Sequence, residues 1–216
     1  VSGGDALPDK IRGAFQLIYR RKICNGYGLT ETSPFIAVNL NDRLGSTAII
    51  GKPGPGISCR FVDTEGHQVP VGSIGQVQFK GDNIMLGYYN APEATAKVLS
   101  DGWFSSGDLG RFDKQGQIVL SGREKDLIIH KGLNIYPQEV ENILMTHPLV
   151  FRAALVGKVD EQAGEIPVAF VAVREMAPGL EADLKKLCRQ SLAAYKVPKD
   201  IIILEDLPVT ATQKVN

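Results

Sequence analysis

The segment Asn25-Gly26-Tyr27-Gly28-Leu29-Thr30-Glu31-Thr32 brackets an aromatic ring with two glycines and follows it with a hydroxyl and a carboxylate. Glycine lets the backbone bend on either side of the ring, which can then face a flat ligand. Thr30 and Glu31 supply oxygens of the kind that hold a phosphate and a magnesium ion. The same residues also suit a tight turn with a surface acid. Further along, Trp103-Phe104-Ser105-Ser106-Gly107-Asp108-Leu109 sets an acid after a glycine in the middle of an apolar strand. A carboxylate there can accept bonds from both hydroxyls of a ribose. Taken alone, the spacing fits a β-bulge with a solvated aspartate better. Gly122-Arg123-Glu124-Lys125-Asp126 packs four charges behind one glycine. Its Arg123 can reach a ribose or a phosphate, or be an ordinary solvated linker residue. Lys214, close to the last residue, Asn216, is the remaining candidate cation, although a lysine near a terminus needs no function.

Other chemistries find less support. Gly51-Lys52-Pro53-Gly54-Pro55-Gly56 is rich in glycine, but its prolines remove N–H donors that a phosphate cradle needs, so a turn into a strand is expected. No GxxxxGK[ST] phosphate loop occurs. His67, His130 and His147 have neither nucleophile nor metal-ligand spacing, and Cys24, Cys59 and Cys188 form no CxxC pair. Three isolated cysteines argue against a disulfide framework and a zinc site, and fit a reducing, cytoplasmic compartment. Twenty-four basic residues balance 24 acidic ones, so neither a nucleic acid nor an anionic membrane is the expected partner. No apolar run approaches the roughly 20 residues of a transmembrane helix, and a soluble protein is expected.

These residues must be positioned by a chain of 216 residues, enough for one large domain or two small ones. The stretch 1–31 reads as a strand end, a helix from Leu7 to about Tyr19 with Pro8 in its first turn, and a second strand entering the glycine-bracketed loop. This is part of an α/β layer. From Gly45 to Gly122, apolar alternation at Ile57–Val62, Gly75–Phe79, Trp103–Leu109 and Gln117–Leu120 predicts short strands between Gly, Pro, Asp and Asn turns. A small β-barrel or sandwich follows from that pattern, interrupted by one helix at Ala91–Leu99. A hairpin over Asp126–Tyr136 turns at Lys131-Gly132, and Pro137 opens a helix with Val140, Ile143 and Leu144 on one face. Val150–Val156 and Ile166–Val173 read as buried strands, Leu180–Ala194 as an amphipathic helix and Ile201–Leu204 as a last strand. The fold class is therefore α+β: a partial α/β layer with a small β-barrel subdomain over 1–121, a linker over 122–125 and a separate compact α+β domain over 126–216.

The motifs occur in one order, and in that order they resemble the adenylate-forming enzymes, which include acyl-CoA synthetases, adenylation domains of peptide synthetases and luciferases. The resemblance rests on Ser2–Pro8, Gly26–Glu31, Gly75–Gly81, Gly107–Leu109, Gly122–Asp126, Lys131–Pro137 with Glu139-Val140-Glu141, Lys196-Val197-Pro198 and the terminal Thr212-Gln213-Lys214. It covers essentially the whole chain, and its wording is most similar to fatty acyl-CoA synthetases. Such enzymes join a carboxylic acid to ATP as an acyl-adenylate, release pyrophosphate, and then form a thioester with coenzyme A. The resemblance implies that Gly4, Asp5 and Ala6 line adenine, Tyr27 stacks on it and Asn25 meets its amino group. It implies Thr30 on phosphate, Glu31 on Mg2+, and Asp108 and Arg123 on the ribose. Lys125 takes the hinge position, Gly132 lies in the loop along the pantetheine path, and Lys214 is the catalytic lysine of adenylation. The family's upstream phosphate loop is not in this chain, so a C-terminal portion that is inactive alone is expected. Gln213 departs from the family's usual glycine there. A carrier-protein thiol in place of CoA, as in acyl-carrier-protein synthetases or peptide-synthetase domains, and a non-catalytic nucleotide-binding module are the alternatives.

Overall fold

The computed structural model of the chain describes residues 1–4, 7, 9–40 and 48–210, without the side chains of residues 9 and 10. Two compact units divide the chain, Val1–Glu124 and Lys125–Asn216.

In the first unit, Ser2 and Asn25 form a parallel bridge. The Ser2 N–H donates to Cys24 O at 2.9 Å and the Gly26 N–H to Ser2 O at 2.7 Å. Helix α1, Asp9–Tyr19, stands where the sequence placed a helix between two extended segments, and it connects the two bridged segments as a parallel crossover. Two short strands follow, β1 (Gly26–Tyr27) and β2 (Ala37–Val38), paired antiparallel across a single turn of 3-10 helix at Thr30–Thr32. They are too short to leave any alternation in the sequence.

The rest of this unit is antiparallel sheet: β3 (Ile49–Gly51), β4 (Ser58–Val62), β5 (Gly75–Lys80), β6 (Leu99–Ser100), β7 (Trp103–Phe112) and β8 (Ile118–Arg123). The strand order is β3-β8-β7-β5-β4, with β6 added to β7. Among the described residues no pairing of β3 with β4 closes this order into a ring. Helix α2, Pro92–Val98, precedes β6 and has proline in its first turn. Alternation does what it predicts in β5, where Val77 and Phe79 are fully buried while Gln76 and Gln78 are only partly so. Val77 and Phe79 join Ile36, Ile50, Phe61 and Ile118 in one apolar cluster. Strand β8 runs on through Gly122 and Arg123, beyond the expected Leu120, with Gly122 at φ 139°.

The second unit opens with the expected hairpin, β9 (Ile128–His130) and β10 (Leu133–Ile135). Its two-residue turn puts Lys131 at φ 51° and Gly132 at φ 77°. Positive φ at both positions is the requirement of a type I′ turn, whose twist matches that of the strands. Next come α3 (Pro137–Leu144), β11 (Val150–Asp160), β12 (Gly164–Val173), α4 (Leu180–Ser191) and β13 (Asp200–Leu204). Strand β12 is central: antiparallel to β11 along its length, parallel to β13 and bridged to β9 at Gly164↔His130. One face meets the helices in a cluster of Ile128, Ile135, Leu144, Val171, Leu184 and Ile201. The other keeps Ala163, Ile166 and Val168 buried, which explains the near-continuous apolar run of β12. Both β11 and its partner extend past the sequence-predicted ends. Their outer residues are exposed (Val159 is 83% accessible), so no burial pattern marked them.

Each unit has its own apolar cluster, which sets an expectation for stability. Leu184→Ala should cost the second unit about 2–5 kcal/mol. Amide exchange of Val77 and Phe79 should be unchanged in that variant, and equal loss of protection in both units would show that they unfold as one.

Candidate functional site

The glycine-bracketed loop is built around a close backbone approach. A Cβ on Gly28 would lie 1.7 Å from Pro34 O, so only glycine lets the loop fold back on itself here. The return is fixed by the Ile36 N–H donating to Tyr27 O at 2.9 Å. Inside the loop, Thr32 is fully buried, and its hydroxyl both accepts from Leu29 N–H and donates to Leu29 O, each at 2.9 Å. Thr32 thus holds the turn, while Thr30 is exposed and Glu31 half-buried. Sequence reasoning singled out the outward pair and missed the residue that presents it.

Tyr27 is tied to the sheet. Its ring packs on Phe79, with centroids 5.9 Å apart and planes tilted by 42°, and its hydroxyl donates to a carboxylate oxygen of Asp108. Burial, and then the negative charge of Asp108, push the Tyr27 phenol far above its ordinary range. Asp108 reaches this position through the bulge its glycine foretold. Along β5 and β7, Gln76 pairs with Leu109 and Gln78 with Ser105, so Ser106, Gly107 and Asp108 together oppose Val77. Gly107 has φ 75°, and the Ser106 hydroxyl accepts from Asp108 N–H at 3.1 Å and donates to Val77 O at 3.1 Å. The carboxylate is thereby aimed by three backbone-level constraints. Its side chain is 14% accessible, whereas that of Arg123, opposite it in the β7–β8 register, is 53% accessible. The 3.7 Å from Arg123 Nε to Asp108 Oδ1 is an ion-pair distance without a hydrogen bond, worth at most about 1 kcal/mol at that exposure.

Glu31 has a partner that the sequence did not announce. Tyr88 Oη donates to Glu31 Oε1 at 2.8 Å, and this bond is the leading cause of a raised Tyr88 pKa. The Met85 N–H donates to Glu31 O at 2.9 Å, and Asn83 Nδ2 donates to Thr32 O at 2.9 Å and to Phe35 O at 3.1 Å. Among the described residues no three or more His, Cys, Asp or Glu side chains converge on a metal position. Glu31 and Thr30 nevertheless offer hard oxygen donors of the type Mg2+ accepts, since that ion commonly uses one or two carboxylates and completes its shell with water and phosphate. Glu31 fits such an ion, with the Thr30 hydroxyl beside it for a phosphate oxygen.

Of the other residues named from the sequence, Asn25 is buried beside the bridge to Ser2, and its carbonyl accepts from Asn39 N–H at 2.9 Å. Gly4 is exposed, with φ 88°. Asp5, Ala6, Pro8, Gln213 and Lys214 lie outside the described residues. In the second unit, Gly132 stands at the tip of the first hairpin. That tip is stapled to the next turn by Lys131 N–H donating to Ala163 O at 2.8 Å and Ile129 N–H donating to the Glu165 carboxylate at 2.7 Å. Lys125 is exposed in a 3-10 turn, Glu124–Asp126, where the two units divide. Within the first unit, then, Tyr27, Asp108 and Arg123 are brought together from three segments.

The Tyr27 phenol gives a pH-dependent expectation. Its folded pKa exceeds the unfolded value of about 10, so the folded state keeps the proton longer. The associated stabilisation is complete below about pH 10 and is lost as the pH rises beyond it. Denaturant midpoints should therefore fall more steeply between about pH 10 and 12 in the wild type than in Tyr27→Phe; parallel alkaline slopes would contradict the assignment.

Comparison with known proteins bears on the same segments. Residues 1–89 match the AMP-binding enzyme family, and residues 139–214 match the AMP-binding enzyme C-terminal domain. Over its whole length the chain is 37% identical to an indoleacetate–CoA ligase of Aromatoleum aromaticum, covering 42% of that protein. It is equally 37% identical to a long-chain-fatty-acid–CoA ligase of Escherichia coli, covering 38% of it. Among solved structures, an amide bond synthetase from Marinactinospora thermotolerans superposes with a TM-score of 0.91 at 33% identity, over 99% of this chain and 44% of that one. ATP-bound MatB from Rhodopseudomonas palustris gives 0.90 at 33% identity, over 99% and 43%. The chain spans about two fifths of the length of the relatives it matches. The two family matches together take in most of its residues, one in each unit and in the family's order. The chain belongs to the AMP-binding, adenylate-forming enzyme family.

Proposed function

We propose that the whole protein is an AMP-forming acid–thiol ligase. In the first step a carboxylate oxygen attacks the α-phosphorus of ATP, and the bond to pyrophosphate breaks to leave an acyl-adenylate. In the second step the thiol of coenzyme A attacks the acyl carbon, AMP leaves with the bonding electrons, and the thiol proton is lost. The observation that carries the reading is the Asp108 carboxylate, largely buried, aimed by its bulge and flanked by Tyr27 and Arg123.

In this reading Asp108 accepts hydrogen bonds from the ribose hydroxyls and Arg123 adds a cation beside them. Tyr27 keeps its proton at physiological pH and so stays a donor to Asp108, while its ring stacks on the adenine, Gly4, Asp5 and Ala6 line it and Asn25 meets its amino group. Thr30 contacts phosphate. Mg2+, when bound, neutralises charge on the phosphates, and Glu31 would hold it. Lys214 is assigned to the carboxylate and α-phosphate oxygens, where a preorganised cation offsets charge developing at phosphorus by about 3–4 kcal/mol. Gly132 belongs to the thiol step and Lys125 to the pivot between steps. The acid is proposed to be a fatty acid, supported by long-chain-fatty-acid–CoA ligases of several bacteria at 34–37% identity. The indoleacetate–CoA ligase at 37% makes arylacetic acids the comparison class.

Acid-dependent exchange of pyrophosphate into ATP, with a panel of fatty and arylacetic acids, tests both reaction and substrate class. Exchange should be strongest with fatty acids; none with any acid would overturn the ligase reading. Asp108→Ala should weaken nucleotide binding by roughly tenfold or more, from the loss of charge-assisted bonds. Lys214→Ala should slow adenylate formation by on the order of a hundredfold, while thioester formation from supplied acyl-adenylate stays near wild type. Lys125→Pro should do the reverse: proline fixes φ near −65° and restricts Glu124, so adenylation survives while the thiol step collapses. An unchanged thioester rate in Lys125→Pro removes Lys125 from the mechanism.

A further inference from the structure

We infer that Tyr88 is a positioning residue for Glu31, fixing that carboxylate for the Mg2+–phosphate end of the nucleotide. The inference deepens the proposed function and rests on its assignment of Glu31. It starts from how the segment Asn83–Tyr88 is fastened to the turn that carries Glu31. Three of its four bonds to the Glu31–Phe35 stretch end on backbone carbonyls: Met85 N–H on Glu31 O, and Asn83 Nδ2 on Thr32 O and Phe35 O. Those three already hold the two segments together. The fourth, from Tyr88 Oη, ends on the Glu31 side chain at 2.8 Å. It does nothing for the backbone and acts only on where the carboxylate points.

Tyr88 is itself anchored well enough to impose a direction. Its N–H donates to Thr95 Oγ1 at 2.9 Å, and the same hydroxyl donates to Ala91 O at 3.0 Å at the start of α2. Gly87, at φ 149°, brings the chain so near to α2 that a Cβ there would lie 2.9 Å from Thr95 Cγ2. The phenol is therefore hung from a helix, whereas Glu31 sits on a short 3-10 turn with three side-chain torsions of its own. Chemistry favours a phenol at this position over a lysine. A neutral O–H occupies Oε1 and orients the group without cancelling its charge, which leaves Oε2 to face a cation. Outer hydrogen bonds of this kind commonly change metal affinity by roughly 10–100-fold.

The test uses Tyr88→Phe in the whole protein, which retains the ring and every backbone bond. Titration calorimetry would follow ATP binding as a function of Mg2+ concentration, with metal-free AMP binding as the reference. The expected result is a rise of roughly tenfold in the Mg2+ needed for half-maximal enhancement of ATP binding, with AMP affinity unchanged. Unchanged Mg2+ dependence overturns the inference, and so does an equal loss of AMP and ATP binding, which marks a general deformation. Glu31→Gln in the same titration separates the two levels of argument. If Glu31→Gln abolishes the Mg2+ enhancement while Tyr88→Phe leaves it intact, the positioning role alone fails. If Glu31→Gln also leaves it intact, the assignment of Glu31 fails and takes the inference with it.

Discussion

The bond from the Tyr27 hydroxyl to the Asp108 carboxylate spans 81 residues of sequence and joins two layers of the first unit. One end stands on the loop that leaves the Ser2–Asn25 bridge, the other on a bulge in the six-stranded sheet. Both groups are largely withdrawn from water, where an unmatched carboxylate or phenol costs about 1–3 kcal/mol, so each requires the other. Much of the local architecture serves that match. Gly28 must be glycine so that the loop can turn beside Pro34, Phe79 backs the tyrosine ring, and Ser106 braces the bulge from below. A braced acid beside an aromatic ring, with a half-exposed arginine opposite it, is the result.

How much of this the sequence disclosed depends on whether a feature leaves a period or a special residue type. The alternation of Gly75–Phe79 leaves one because a single face meets the core, and β5 formed where expected. The Lys131-Gly132 turn and the proline-led helices α2 and α3 were legible through backbone demands that few residues satisfy. The bulge at Asp108 was signalled by its glycine. Strands of two or three residues such as β1, β2, β3 and β6 have no room for a period. The outer end of β11, Val156–Asp160, lies largely open to solvent, as does Gly164 at the start of β12, so neither end carries a burial pattern. The Glu31–Tyr88 contact joins half-exposed and exposed side chains 57 residues apart, and no local pattern encodes such a pair. Nothing in the Gly87-Tyr88-Tyr89 run distinguishes one tyrosine from the other; Tyr89 is 93% accessible and Tyr88 38%.

The second unit shows the same economy with different means. Its first hairpin is only three residues per strand, below the length at which two strands hold alone. Glu165 and Ala163, at the turn between β11 and β12, lend it the missing bonds, so the tip at Gly132 inherits the rigidity of a long hairpin. Ion pairs add little to this. Lys196 with Glu139 at 2.6 Å ties the α4–β13 connection to α3, and Arg152 with Asp206 at 2.6 Å ties the segment after β13 to β11; both pairs are partly solvated. The apolar cluster around β12 carries the unit.

The bulge has a bearing on how this strand can change. Three residues stand where a regular ladder has one, so β7 carries two positions that the partner strand does not count. Removing one of them shifts everything beyond by a single step and reverses which side chains face inward. Leu109, 8% accessible, would turn to the face from which Asp108 now projects. Chimeras between relatives therefore need their junctions outside Ser105–Leu109, because a length mismatch of one residue there rewrites the interior of the sheet, whereas an equal mismatch in the exposed turn at Asp113–Gln117 is absorbed by the turn.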